Sequence, residues 1–303
     1  MALAPIALFV YNRLDHLAKT VEALKNNPLA GESELVVFSD GPKNEKAKQG
    51  VAAVREYLKG LGGFKKINIV EREINYGLAK SIIEGVTEIV DKYGKVIVLE
   101  DDLVTSPHFL SYMNEALDLY EKDEKVASIH GYIYPVKGSL PETFFIRGAD
   151  CWGWGTWKRA WSFFEPDGKK LLRGLKKNNA TKDFDFYGTY PYTRMLESQI
   201  FGLNNSWAIR WYASAFLAGK YTLYPGRSLV NNIGMDASGV HSGDTNAYMV
   251  DLTGIPVRIE RQEIKENERA KRVIADYFTT LGYNTMWSKV KFFIRRMLLC
   301  LEK

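Results

Sequence analysis

Three consecutive carboxylates, Glu100-Asp101-Asp102, directly follow the apolar run Lys95-Val-Ile-Val-Leu99. A run of that length, rich in β-branched residues, predicts a buried parallel strand, and open α/β sheets place their ligand crevice at the carboxyl ends of such strands. Adjacent acids repel one another unless a cation lies among them, and Mg²⁺ or Mn²⁺ commonly shares such carboxylates with substrate phosphates. The alternative is a solvated acidic turn that precedes a helix, where acids are favoured.

Polar residues suited to a nucleotide follow the other apolar runs of the first half. Arg13 could pair with a diphosphate through its planar fork, and Asp40 could accept hydrogen bonds from a uracil or a ribose. Asn75 and Gly77 belong to a turn in which glycine permits close approach of the backbone, and Lys80 could reach a phosphate. Each is, by itself, as well explained as a surface or turn residue. Together they indicate a nucleotide site, although the chain has neither G-x-G-x-x-G after its first strand nor a P-loop sequence.

The elements that position these residues alternate between strand and helix. This alternation predicts the α/β class, with a mostly parallel sheet covered by helices on both faces. Strands are predicted over 4–11, 34–38, 66–70 and 95–99, and helices over 15–26, 46–61 and 79–92.

Aromatic residues dominate one segment of the second half, where Trp152, Trp154, Trp157 and Trp161 fall within ten residues. Flat aromatic faces match the C–H faces of sugar rings, so we expect Trp152, Gly153 and Trp154 to bind a sugar, together with Trp207 further along the chain. The alternative is an aromatic-rich element of the core.

Length and composition fit an enzyme with a large core. The chain has 303 residues, a hydrophobic share of 46%, a net charge of +5 and two distant cysteines, Cys151 and Cys300. We find no disulfide framework, zinc spacing, signal peptide or transmembrane run, which predicts a cytoplasmic location. Outside the C-terminal tail the basic residues are not gathered with aromatics, so we expect no nucleic-acid partner.

The quoted motifs resemble a known family. The order Phe9-Val-Tyr-Asn-Arg13, Phe38-Ser-Asp-Gly41, Asn75-Tyr-Gly77 and Val98-Leu-Glu-Asp-Asp-Leu103 is similar to the nucleotide-sugar-binding half of GT-A glycosyltransferases, specifically the bacterial family-two-like sugar transferases. The Glu-Asp-Asp-Leu segment is also similar to that of the N-acetylglucosaminyltransferase I group. The resemblance covers about residues 4–245. It implies a Rossmann-like GT-A fold and metal-dependent transfer of a sugar from a nucleotide-diphosphate sugar, with uridine as the expected base.

This resemblance also implies roles for individual residues. Asp102 is the expected ligand of Mn²⁺ or Mg²⁺, and His241 stands where such enzymes often supply a further metal ligand, although a lone loop histidine is usually a surface residue. The residues expected around the nucleotide-sugar donor are Tyr11, Arg13, Asp40, Asn75, Gly77, Lys80, Glu100 and Asp101.

The reaction that the resemblance implies transfers the sugar to an acceptor hydroxyl, and the resemblance favours inversion. An inverting enzyme needs a general base for that hydroxyl, usually Asp or Glu. The candidates are Asp150, beside the tryptophan segment, and Glu197, ahead of Trp207. A retaining mechanism would dispense with this base.

We expect a GT-A domain over residues 1–258, with its nucleotide-sugar-binding half over 1–105 and its acceptor half over 106–258, and then a C-terminal helical extension over 259–303. Within the extension, the charged segment 260–276 predicts a helix that packs on the domain surface.

The tail over 286–303 places apolar residues on one helical face, with cations largely to its sides. Such a helix could lie peripherally on an anionic membrane, which would suit a lipid-linked glycan acceptor in cell-surface polysaccharide synthesis. It could equally pack on the domain or on a second subunit.

Two other classes of function remain open from the sequence. A sugar nucleotidyltransferase would share the α/β half and its acids, but it should carry a basic, glycine-rich loop after the first strand, where this chain has Tyr11-Asn-Arg-Leu-Asp15. A non-catalytic carbohydrate-binding protein would account for the aromatics but would leave the three acids without a task.

Overall fold

The computed structural model describes residues 2–236 and 245–283. The strands are β1 (Ile6–Val10), β2 (Glu34–Ser39), β3 (Lys66–Glu71), β4 (Lys95–Glu100), β5 (Leu103–Thr105), β6 (Val126–His130), β7 (Thr143–Arg147), β8 (Trp154–Trp157), β9 (Tyr221–Pro225) and β10 (Val230–Asn232). The helices are α1 (Leu14–Lys25), α2 (Glu45–Lys59), α3 (Leu78–Tyr93), α4 (Phe109–Leu119), α5 (Lys158–Trp161), α6 (Gly168–Lys177), α7 (Thr181–Phe184), α8 (Tyr192–Ile200), α9 (Trp207–Leu217) and α10 (Glu268–Thr280).

One eight-stranded sheet organises the molecule, in the order β3-β2-β1-β4-β8-β6-β9-β7. Strands β1 to β4 are mutually parallel, β6 and β9 run in the same direction, and β8 and β7 are antiparallel to their neighbours. The predicted α/β class with a mostly parallel sheet is confirmed. A separate antiparallel pair, β5 with β10, follows the acidic triplet.

Helix α3 shows how the parallel half is built. Its apolar residues recur at helical spacing, and Ile82, Val86 and Ile89 are buried against the sheet. Gly85 faces the ring of Phe9, where an added Cβ would lie 2.7 Å from the ring, so a side chain at this position would push the helix away. This packing fixes the amino-terminal end of α3 at the carboxyl edge of the sheet.

The second half of the chain adds a second core to the same sheet. Buried side chains of β7, β9 and helices α6 to α10 form this cluster, in which Phe184, Tyr212 and Phe278 are among the largest members. The sheet is continuous between β4 and β8, so the two predicted halves, 1–105 and 106–258, share it. The domain limits themselves stay a prediction.

The charged segment after residue 258 becomes helical later than predicted. The helix begins at Glu268, because Asn267 caps it by accepting a hydrogen bond from the backbone N–H of Ala270. The residues just before it lie along the edge strand β7, where Asn267 donates to the carbonyl of Phe145. The tail 286–303 lies outside the described residues. Within 2–236 and 245–283 we find no helix that is both long and apolar enough to cross a bilayer.

Candidate active site

Parallel pairing aligns the strand ends that carry the predicted donor site. Phe9 of β1 pairs with Phe38 of β2 on one side and with Glu100 of β4 on the other. The turns that follow these three strands therefore leave the sheet at one edge. This alignment brings Arg13, fourth in sequence after Phe9, to the two acids after Glu100.

Arg13 lies between two of the three acids. Its Nη2 donates to the carboxylate of Asp101 and, at 2.7 Å, to Oδ2 of Asp102. Burial alone would lower the pKa of Arg13, but the charges of Asp101 and Asp102 raise it above its ordinary value. Thr20 Oγ1 donates to the Asp101 carbonyl at 2.9 Å and so holds the turn against α1. In this structure Arg13 is a counter-ion of the acids, and its contact with a diphosphate stays a prediction.

The acidic triplet carries more negative charge than the protein around it balances. Arg13 is paired with Asp101 and Asp102, whereas Glu100 has no ion pair within the described part of the chain. Burial, followed by the charges of Asp102 and Asp101, raises the pKa of Glu100 to about 8. Burial also raises the pKa of Asp101 to about 6, although Arg13 opposes the shift. When all three carboxylates are ionised they exceed the single guanidinium by two negative charges, which is the charge of one divalent cation, and the raised pKa of Glu100 shows that a proton relieves part of this excess when no cation is bound.

Asp102 has a carboxylate oxygen that could bind such a cation. Its Oδ2 contacts Arg13, and its other carboxylate oxygen has no hydrogen bond within residues 2–236 and 245–283. The described residues contain no group of three or more His, Cys, Asp or Glu side chains arranged to hold a metal ion by themselves. The donor set therefore fits an ion that takes its remaining ligands from phosphates or water, as Mg²⁺ usually does.

The segment that leads to His241 begins beside Asp102. Gly234 is so close that a Cβ built on it would lie 2.1 Å from Oδ2 of Asp102, and the backbone N–H of Ile233 donates to the Asp102 carbonyl at 2.9 Å. Past residue 236, Thr245 donates from its backbone N–H to the carbonyl of Met235 at 2.9 Å. His241 itself lies outside the described residues, so its predicted role as a metal ligand stays a prediction.

Both carboxylate oxygens of Asp40 accept hydrogen bonds from the protein itself. Its Oδ1 accepts from the backbone N–H groups of Gly41 and Tyr76, and its Oδ2 accepts from Gly77 N–H and from the side-chain amide of Asn75, all at 2.8 to 3.0 Å. The Asp40 carboxylate is therefore tied to the turn before α3, and the predicted contact with a base or ribose would have to share these oxygens. Gly77 adopts φ +72° and ψ 158°, a conformation that glycine allows at this turn.

The remaining predicted donor residues lie beside this turn. The hydroxyl of Tyr11 accepts from the backbone N–H of Lys43 at 3.0 Å. The ammonium of Lys80 lies 4.1 Å from the ring centroid of Tyr76 and 3.7 Å from Glu84. Arg72, which the sequence analysis did not select, lies 4.0 Å from the Tyr76 centroid. No motif marks Arg72 in the sequence, because only the turn brings it onto that ring.

The tryptophans differ in burial: Trp152 is partly exposed, whereas Trp154 and Trp207 belong to the core. Trp154 and Trp207 are at most 2% exposed, and their rings stack with centroids 5.4 Å apart, so neither ring has a face open to a sugar. Trp152 lies two residues before β8, and its neighbour Cys151 is close enough to Glu100 for that charge to contribute to the raised pKa of the Cys151 thiol. Trp152 is half-buried and stays the candidate for sugar stacking.

Gly153 is required by packing. It adopts φ +66°, and a Cβ built there would lie 2.6 Å from Cγ2 of Val230. This glycine lets the chain turn from Trp152 into β8 beneath β10.

Asp150 lies between the acids and a group of tyrosines. Its Oδ1 accepts from the backbone N–H of Cys151 at 2.8 Å, and its Oδ2 accepts from the hydroxyls of Tyr134 at 3.1 Å and Tyr224 at 3.4 Å. Burial raises the pKa of Cys151, and the charges of Asp150 and then Glu100 add to the shift, because Cys151 lies between them. Asp150 therefore lies near the acidic edge, the edge of the sheet that carries Glu100, Asp101 and Asp102, and its role as general base stays a prediction.

Glu197 belongs to a different surface. It lies on α8, where its Oε1 is 3.7 Å from the ammonium of Lys176 on α6. No hydrogen bond or ion pair connects it to the acidic edge within the described residues. Of the two candidate bases, the structure brings only Asp150 to the site.

The tyrosines near Asp150 are the site residues that sequence reasoning missed. Tyr134, Tyr192 and Tyr224 have pKa values raised above the ordinary range, first by burial and next by the charge of Asp150, so their hydroxyls stay protonated. The Tyr134 and Tyr192 hydroxyls lie 3.4 Å apart. Tyr134, Tyr192 and Tyr224 come from three separate segments, so no local spacing in the sequence predicts that they meet. The one local signal is the position of Tyr134, four residues after β6 ends at the same sheet edge.

The family comparison agrees with this architecture. The model of glycosyl transferase family 2 matches residues 6–187, more than half of the chain. The protein therefore belongs to glycosyl transferase family 2, and it is a glycosyltransferase of GT-A fold. This assignment favours neither a sugar nucleotidyltransferase nor a non-catalytic carbohydrate-binding protein. No curated protein sequence matches the chain.

Solved structures show only distant similarity. Mannosyltransferase PcManGT from Pyrobaculum calidifontis, in complex with GDP-Man and Mn²⁺, is 13% identical, with a TM-score of 0.33 over 44% of this chain and 36% of that one. S. aureus TarS residues 1–349 are 12% identical, with a TM-score of 0.41 over 75% of this chain and 59% of that one. A longer TarS structure is also 12% identical, with a TM-score of 0.40 over 77% of this chain and 37% of that one. The chain thus spans less than two thirds of each of these proteins.

Proposed function

We propose that this protein transfers a sugar, with inversion, from a nucleotide-diphosphate sugar to an acceptor hydroxyl, and that Asp102 holds the divalent ion, Mn²⁺ or Mg²⁺, required for the reaction. One observation carries the proposal: Arg13 is the one cation paired with the three acids in the described residues, and burial among the other two acids raises the pKa of Glu100 to about 8, as expected where a further cation is needed. A divalent ion bound with the donor diphosphate would compensate the acids. Uridine as the base of the donor is part of the proposal.

The protein groups then divide the chemistry. When bound, the ion would act as a Lewis acid toward the charge that develops on the leaving diphosphate. Arg13 and Lys80 are the cations of the described edge that could assist once phosphate competes for them. Trp152, next to Cys151 in the segment near Glu100, would stack on a sugar ring, and Asp150 would take the proton of the acceptor hydroxyl.

We assign the base to Asp150 rather than Glu197 because of their surroundings. Asp150 adjoins Cys151, whose thiol pKa is raised in part by the charge of Glu100, and two tyrosine hydroxyls donate to one oxygen of Asp150. Glu197 faces Lys176 between two helices. A base must come within hydrogen-bond reach of the proton that it removes, which favours the candidate nearer to the acidic edge.

The acceptor and the setting extend the proposal. We assign a glycan or a lipid-linked glycan as acceptor, in cell-surface polysaccharide or glycan synthesis. The protein would act in the cytoplasm, with residues 286–303 in peripheral contact with the inner face of the membrane.

The metal assignment is tested by thermal unfolding of the full chain with a panel of nucleoside diphosphates, with and without Mn²⁺. A ligand that binds only the folded state raises the melting temperature. We expect a Mn²⁺-dependent rise with one nucleotide that is lost in Asp102→Asn. The matched control is Asp91→Asn, which removes an exposed acid paired with Lys158 and should keep the rise. No rise with any nucleotide, or a rise that survives in Asp102→Asn, would sink the metal assignment.

The base assignment is tested by release of nucleoside diphosphate at saturating donor and acceptor. General base catalysis contributes about 10² to 10⁴ in rate, so Asp150→Asn should lower kcat by that factor. Glu197→Gln should leave kcat nearly unchanged. A large loss in Glu197→Gln with full activity in Asp150→Asn would reverse the assignment.

A further inference from the structure

We infer that His130 is a positioning residue, which holds the segment 150–152 in place through a hydrogen bond from the backbone of Trp152. His130 ends β6, and its side chain is fully buried. Its Nε2 lies 3.2 Å from the backbone nitrogen of Trp152. Because a backbone N–H only donates, Nε2 accepts and the ring proton resides on Nδ1.

The same imidazole also supports the tyrosine that reaches Asp150. The rings of His130 and Tyr224 pack edge to face, with centroids 4.9 Å apart. The Tyr224 hydroxyl in turn donates to Oδ2 of Asp150 at 3.4 Å. His130 therefore contacts both sides of the segment: the backbone of Trp152 directly, and the carboxylate of Asp150 through Tyr224.

The surroundings of the other ring nitrogen, Nδ1, indicate that the imidazole contributes mainly through its hydrogen bond to Trp152. Nδ1 of His130 is buried and makes no well-formed hydrogen bond within the described residues, although the backbone of Tyr132 lies near enough to favour a proton on the ring. A buried polar atom without a well-formed hydrogen bond is unfavourable, so an apolar side chain would fill this space at lower electrostatic cost. What an apolar side chain would lack is the acceptor at Nε2.

The surroundings keep His130 in the neutral form that this bond requires. Burial lowers the pKa of His130, and the charge of Asp150 opposes the shift without reversing it. The other groups that face the ring are Tyr132, Tyr224 and the thiol of Cys151, whose pKa values are all raised, so they stay uncharged. A protonated ring would present an N–H to the N–H of Trp152 and release it.

The inference rests on the proposed function in one respect, that Asp150 is the base, and its test therefore uses two measurements. The full chain carries Cys300→Ser, so that Cys151 is the reactive thiol. In this background His130→Leu removes the acceptor, whereas His130→Gln offers an amide oxygen near the position of Nε2. The first measurement is the rate of Cys151 alkylation by iodoacetamide, which reports whether the segment is loosened. The second is the kcat and donor KM of nucleoside diphosphate release.

We expect His130→Leu to speed alkylation and to lower kcat, each by about tenfold, with little change in donor KM. A tenfold change corresponds to about 1.4 kcal/mol, within the net range of one buried hydrogen bond. His130→Gln should restore both values toward the wild type. Wild-type alkylation and kcat in His130→Leu, or equal losses in both variants, would overturn the inference.

Two controls separate the possible failures. Thermal unfolding shows whether His130→Leu folds, and if it does not, His130→Asn replaces it, because the shorter amide does not reach the Trp152 N–H. If the wild type releases no nucleoside diphosphate, the alkylation rates still decide the role of His130, and the proposed function fails alone.

Discussion

Replacing Arg13 with methionine would remove the counter-ion of the acidic edge while keeping much of the side-chain volume. The partner carboxylates are mostly buried, with side-chain exposures of 6% for Asp101 and 15% for Asp102, against 19% for Arg13. Removing one partner of a buried pair costs about 3 to 5 kcal/mol, because the charge left behind is uncompensated. The partial exposure of Arg13 to solvent reduces the expected loss in the free energy of unfolding to about 2 to 4 kcal/mol.

Thermal unfolding with and without Mn²⁺ measures this loss. For 303 residues, an unfolding entropy of about 2.1 cal/mol/K per residue converts the loss into a fall of about 3 to 6 °C in melting temperature. Mn²⁺ should stabilise Arg13→Met more than the wild type, because the metal no longer competes with the guanidinium. At 100 times its Kd, a ligand contributes about 2.7 kcal/mol, enough to offset much of the loss.

The control for this experiment is Lys80→Met, which removes a cation of the same edge that is 54% exposed and lies 3.7 Å from Glu84. An exposed pair contributes about 0 to 1 kcal/mol, so its melting temperature should barely change. A melting temperature for Arg13→Met within about 1 °C of the wild type would refute the argument that the acids need an internal counter-ion.

Two further variants test packing and pH dependence. Gly153→Ala should lower the free energy of unfolding, measured by urea denaturation, by about 2 to 4 kcal/mol, because the added methyl group meets Val230 at a positive φ. The control is Gly254→Ala, which should lower it far less, because nothing lies within 4 Å of the added Cβ. Equal losses in the two variants would contradict the packing argument. Asp185→Asn should stabilise the protein by about 1 to 2 kcal/mol near pH 7.5 and hardly at all near pH 4. Burial raises the pKa of Asp185 from 3.8 to about 6, so the folded state binds the proton more tightly than the unfolded chain does. The wild type therefore loses stability as the pH rises from about 4 through 6, whereas the asparagine variant does not. The hydrogen bond from Thr193 N–H to Oδ1 is kept in the variant. The same gain at both pH values would show that the charge is not the cause.

The parallel half of the fold could be read from the sequence because its signals are local. A strand buried on both faces needs a continuous apolar run, and the run predicted over 95–99 is observed as Lys95–Glu100. Helix α3, predicted over 79–92, is observed as Leu78–Tyr93 for the same reason: its buried residues repeat at helical spacing. The later helices are harder to predict from the sequence. Helices α6, α7 and α8 were not predicted, because short helices contain too few turns to show a clear hydrophobic periodicity.

In the aromatic segment, residue type alone does not predict the surroundings of each tryptophan. Trp152 and Trp154 are separated by one glycine, yet Trp152 is half-buried at the acidic edge and Trp154 is fully buried against Trp207. A tryptophan gains free energy both by packing in a core and by stacking on a sugar, so its sequence position alone does not choose between them. Gly153 makes that choice, because its positive φ of +66° ends the extended backbone of β8 at Trp154 and turns Trp152 out of the strand.

The sequence by itself determined that three acids stand at the end of a buried strand, and that polar residues follow the neighbouring strands. Parallel strands end at one edge, so this local order was enough to place a charged site there. Only the tertiary structure decided how those groups are used: Arg13 pairs with Asp101 and Asp102, and Asp40 is tied to its own turn. His130 and Tyr224 reach Trp152 and Asp150 from distant segments. Hydrogen bonds and ion pairs of this kind depend on distances of about 3 Å between side chains far apart in the chain, which packing sets and local sequence pattern does not encode.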